Sequence, residues 1–81
     1  MTKTEILNTL ARDYVAAHRV YASMEKQAAE FLRQNKMEAY QQMTHKAAFR
    51  SASLYGIKRA AMALGITETK FMDAVAQLLN K

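Results

Sequence analysis

The chain has 81 residues, about half of them apolar, and carries 12 Lys and Arg against 7 Asp and Glu for a net charge of +5 at neutral pH. Cysteine and proline are both absent, which excludes a disulfide framework, a cysteine-based zinc site and thiol catalysis. So high an apolar share is not that of a disordered polyelectrolyte, and 81 residues make one small domain (1–81) whose core leaves little net stability, so support from a second chain is expected.

Ala, Leu, Met, Gln, Lys, Arg and Glu dominate and glycine occurs only twice. These residues lose little side-chain freedom on a helix, so the expected class is all-α. Thr2 and Glu5 have the spacing of a capping box and open the first helix. Leu7, Leu10, Tyr14, Ala17, Tyr21, Met24, Ala28 and Phe31 then recur at alternating steps of three and four. That heptad seam belongs to a helix packed lengthwise along another, running over about residues 3–34. Asn35 is its stop, since Asn tolerates the left-handed conformation that ends a helix.

The second helix, about 36–64, repeats the pattern with Tyr40, Met43, Ala47, Leu54, Ile57, Ala61 and Leu64, but Arg50 interrupts the seam. Ala52, Gly56 and Ala60 form a row of small residues on one face, which points to close approach by another helix rather than to a break. Gly65 suits the position just past a helix and Thr67 the next N-cap, so the third helix covers 68–80. Its stripe of Phe71, Met72, Val75, Leu78 and Leu79 is less than half as long as the first two helices. The expected architecture is therefore two long antiparallel helices with a short third. Part of the seam stays uncovered, and a second copy of the chain, making a homodimeric helical bundle, is the simplest cover.

Arg12, Arg19, Lys26 and Arg33 are spaced by sevens along one edge of the first helix. On the second helix, Lys46, Arg50, Lys58 and Arg59 fall within a stretch, residues 39–67, that contains no acid. Such cations form either a solvated face or a docking surface for an acidic protein or for nucleic-acid phosphates. Residues 57–76 also fit the general helix-turn-helix pattern, with small Ala61, turn Gly65, and apolar Ile66, Phe71 and Ala74. Glu68 and Asp73 would then face the phosphates, which weighs against DNA reading.

His18 and His45 have no His, Asp or Glu three or four residues away, and no phosphate loop, nucleophile elbow or acid pair appears. No catalytic, metal or cofactor residue is assigned. The first residues contain no long apolar run, and Arg12 and Asp13 interrupt any span, so no membrane segment and a cytoplasmic setting are expected. The expected function is that of a small non-enzymatic interaction or regulatory protein without a small-molecule substrate, which presents its basic surface to an acidic partner. A DNA-binding regulator using residues 57–80 and a purely structural oligomerisation module are the alternatives.

Overall fold

In the computed structural model, which describes residues 2–80, the capping box closes the start of α1 (Lys3–Arg33). The Glu5 amide donates to the Thr2 hydroxyl at 3.1 Å, and the Thr2 amide donates to the Glu5 carboxylate at 3.4 Å. From there α1 runs unbroken for 31 residues, or ~46 Å at the helical rise. α2 (Met37–Ala63) folds back antiparallel, so that Lys3, Thr4 and Leu7 lie beside Gly65 and Ile66. α3 (Glu68–Leu79) completes the fold, with Thr67 as its N-cap accepting from the Lys70 amide at 3.2 Å. The helices stop a residue short of the limits expected from spacing, because Gln34, Lys36, Leu64 and Asn80 are caps rather than helical residues.

Both corners use the same hydrogen-bonded device. Asn35 has φ 62°, and beside it the Asn35 and Lys36 amides donate to the Leu32 and Phe31 carbonyls at 3.0 and 2.8 Å. At the second corner Gly65 has φ 85°, and the Gly65 and Ile66 amides donate to Met62 and Ala61 at 3.0 and 3.1 Å. Each is a Schellman motif, in which one left-handed residue lets two otherwise orphaned helix-end carbonyls be satisfied.

The core is confined to one end. Phe71 and Val75 of α3 are the largest side chains buried completely or nearly so, and they pack on Ala11 and Val15 of α1 and Ala61 of α2. Ala11 and Ala61 have no exposed surface at all; side chains of this size let three helices converge around one phenyl ring. Tyr14 meets that ring edge-on, 5.4 Å between centroids at 89°, a geometry that adds about 0.5–1.5 kcal/mol beyond the area buried. Beyond α3 the hairpin is two helices thick, and of its side chains only Ala28, Ala47 and Leu54 are buried.

Val15, which lies off the three-four seam of α1, is also core, because α3 lies against that flank of α1. The row Ala52, Gly56 and Ala60 has no helix against it within the chain. A Cβ added at Gly56 would meet nothing within 4 Å, and α2 continues through it unbroken. Phe49, seven residues before Gly56, is 81% exposed. Replacing Phe71 by Ala should lower the unfolding free energy in urea by about 3–5 kcal/mol, a large part of what a small domain has. Phe49→Ala should change it by less than about 0.5 kcal/mol.

Candidate partner-docking edge

Arg12, Arg19, Lys26 and Arg33 are all exposed along one edge of α1, a row of ~32 Å at the helical rise. They are not equivalent. Arg33 is ion-paired with Glu30, whose other carboxylate oxygen accepts from Gln34 at 2.9 Å, so the far end of the row is locally neutralised. At the near end, Arg12 and Arg19 flank a notch of about 360 Å³ floored by Val15, Ala16 and Leu78. Arg12 also borders a smaller cleft of about 160 Å³ with Asn8, Ala74 and Gln77.

The notch exists because α3 ends there. The last turn of α3 has no basic residue of its own, and the closing carbonyls of a helix carry partial negative charge. Arg12 and Arg19 supply positive charge from the neighbouring helix, beside an apolar floor. Guanidinium groups over apolar surface are less hydrated than a lysine ammonium and can grip a carboxylate with two parallel hydrogen bonds.

The cations of α2 do not join this edge as one patch. Lys46 and Arg50 are exposed and one turn apart, whereas Arg59 lies nine residues beyond Arg50, about two and a half turns, and so on the opposite side. Arg59 stands over the Tyr55 ring at 5.9 Å. Lys58 is half-buried, with its ammonium 2.7 Å from the Glu68 carboxylate, tying α2 to the first turn of α3. The hydrogen bond to Glu68 raises the Lys58 pKa above its ordinary value, partly opposed by desolvation. That pair explains what Lys58 does within the chain.

The seam residues lie between the helices. Leu7, Leu10, Tyr14, Tyr21, Met24, Phe31, Tyr40 and Met43 are all half-buried, and Arg50 projects outward where the seam is interrupted. Beyond the reach of α3, the groove between α1 and α2 stays open with a volume of about 480 Å³. Its floor is Ala28, Ala29, Ala47 and Ala48, with Tyr21 and Tyr40 standing at its sides. The phenol of Tyr21 is shifted to a raised pKa by its hydrogen bond to Glu25 and by that carboxylate's charge, with a smaller contribution from desolvation.

At the α2–α3 corner, Ala61, Ile66 and Phe71 are buried and Ala74 is half-buried, so these residues lock the two helices together. Glu68 is engaged with Lys58, and Thr69, Lys70, Met72 and Asp73 are exposed on the outer side. Among the described residues no group of three or more His, Cys, Asp or Glu is placed to hold a metal ion, and no helix is long and apolar enough to cross a membrane. His18 stacks parallel to Tyr14 with centroids 6.5 Å apart, and His45 is exposed. Leu78 is the notch residue that spacing alone assigns only to the third helix's apolar stripe; its place between two arginines depends on where α3 crosses α1.

Comparison of the chain with models of protein families, with curated proteins and with solved structures finds no match.

The Lys58 shift predicts a definite pH window. A lysine whose folded pKa is raised adds stability that is fully present below its unfolded pKa and is lost as pH rises through the folded one. The difference in melting temperature between the wild type and Lys58→Met should therefore hold steady from neutral pH into the mildly alkaline range. It should close only in the strongly alkaline range, as thermal unfolding followed by circular dichroism would show.

Proposed function

We propose that this chain is a small, non-enzymatic helical interaction protein that works as a homodimer and docks an acidic protein partner on the α1 edge. The observation that carries this reading is the notch, in which two exposed arginines seven residues apart bracket an apolar floor that includes Leu78. Arg12 and Arg19 are separated by ~10.5 Å along the helix. A partner helix lying alongside has the same repeat, so acids seven residues apart on it meet both guanidinium groups while an apolar residue between them enters the notch. The net charge of +5 adds long-range attraction for such a partner and speeds encounter.

A second reading, DNA binding through residues 57–80, is favoured by the tightly locked α2–α3 corner. Against it, Asp73 faces outward with Lys70 as the one cation among the exposed first-turn neighbours Thr69 to Asp73, and phosphate attraction supplies most of the affinity for DNA.

Fluorescence anisotropy separates the two. The probe is a labelled helical peptide with two Glu seven residues apart and Leu midway. It should bind the wild type and lose at least about tenfold in affinity to an Arg12→Glu, Arg19→Glu double variant or to Ala16→Glu. Lys46→Glu with Arg50→Glu should leave affinity within about twofold once salt screens the long-range field. Equal loss in both double variants would reduce the edge to diffuse charge. Sequence-dependent binding of a DNA duplex, abolished by Lys70→Glu and indifferent to Arg12 and Arg19, would replace this reading with the second.

A further inference from the structure

The uncovered half of the α1–α2 groove is the place where the fold is incomplete. α3 fills the groove along one end with Phe71 and Val75, and the other end is empty above its alanine floor. We infer that a second copy of this chain closes it, packing its own open groove face to face and antiparallel about a two-fold axis, so that four long helices meet over Ala28, Ala29, Ala47 and Ala48. The inference takes the homodimer of the preceding reading as its premise and names the surface that makes it. It is independent of the arginine notch.

Three observations select a copy of the chain as the occupant. The first is area. The chain exposes 5867 Å², whereas a folded monomer of this size exposes about 4,900 Å². The excess of about 970 Å² is of the same order as the roughly 800 Å² that each partner buries in a standard stable interface. The molecule's extents of 49 × 25 × 19 Å describe an elongated body, and α3, with 12 residues against 31 and 27, covers only part of its length.

The second is charge. Two chains of net charge +5 repel unless they meet where cations are absent. Among the described residues no Lys or Arg lines the groove, and Glu25 is its one charged residue. This is a face that a like-charged copy can approach without opposing arginine rows.

The third is shape. A two-fold contact requires one surface to carry both the projections and the hollows that receive them. Here Tyr21, Tyr40 and Leu32 project beside four alanines that leave room, so the knobs of one protomer find holes in the other. Leu32, now 49% exposed, is covered in the same contact. The outward row containing Gly56 carries exposed Phe49 and is the competing face, which a substitution at Phe49 tests.

Ala29 and Ala48 are exposed in the single chain, so Arg at both positions leaves the fold intact but brings buried cations face to face in the dimer. Sedimentation equilibrium at micromolar concentration should show a dimer for the wild type and for Phe49→Arg. The Ala29→Arg, Ala48→Arg variant should dissociate about a hundredfold more readily, with unchanged helicity by circular dichroism. Amide exchange gives a second readout: protection of residues 21–32 and 40–51 should rise with protein concentration, and that of residues 71–78 should not. A wild-type monomer would overturn both the homodimer and this face. A dimer that survives the double arginine variant but is lost in Phe49→Arg would keep the homodimer and overturn the face.

Discussion

A helix of 12 residues cannot cover a hairpin whose arms have 31 and 27, and this mismatch in length governs the rest of the molecule. α3 brings the only long apolar stripe that stands across both arms, so the core forms where it lies, around Phe71 and Val75. Elsewhere the arms hold together through a seam whose buried members are mainly alanine. Alanine gives close approach but little area removed from water, at about 25 cal/mol per Å² of apolar surface. The open end therefore contributes little to stability by itself, and local opening is expected to begin there.

Where α3 ends matters as much as where it lies. Because it crosses the flank of α1, its last turn comes to rest between Arg12 and Arg19 and turns two residues of a uniform row into a shaped notch. Lys26 and Arg33 keep the same spacing without any such neighbour. Lys58 and Glu68, joined at 2.7 Å, help to hold the first turn of α3 at the other end. A pair with one exposed partner adds only modest stability, but together with the left-handed Gly65 it restricts the angle at which α3 leaves α2. The shape of the notch on α1 is thus set by a corner some distance away.

The architecture was legible because its signals are local. The three-four spacing from Leu7 to Phe31 marks the inward face of a helix whatever it packs against, and a single Asn and a single Gly in otherwise strong helix formers mark the corners. The docking notch was legible only in part. Arg12 and Arg19 stand out by their spacing, but Val15 and Leu78 do not, because their burial depends on the angle at which α3 crosses α1, which no periodicity encodes. The same holds for Lys58, whose acid lies ten residues ahead beyond a turn. Ala52, Gly56 and Ala60 carry a signal for close packing that nothing within the chain answers.

The two surfaces divide the hairpin between them, and the division has an electrostatic logic. The notch lies at the α3 end and the open groove at the other, starting at Tyr21, two residues past Arg19. The proposed face-to-face dimer would leave one notch free at each outer end. It would also double the positive charge available to steer an acidic partner while keeping the cations out of the contact. Salt would then act in opposite senses on the two proposed events: screening weakens attraction between the arginine edge and an acidic helix, but it relieves the repulsion between two chains of like charge. On this proposal apolar contact would hold the protein together while charge made its outward choices, because the groove and the notch share no residue.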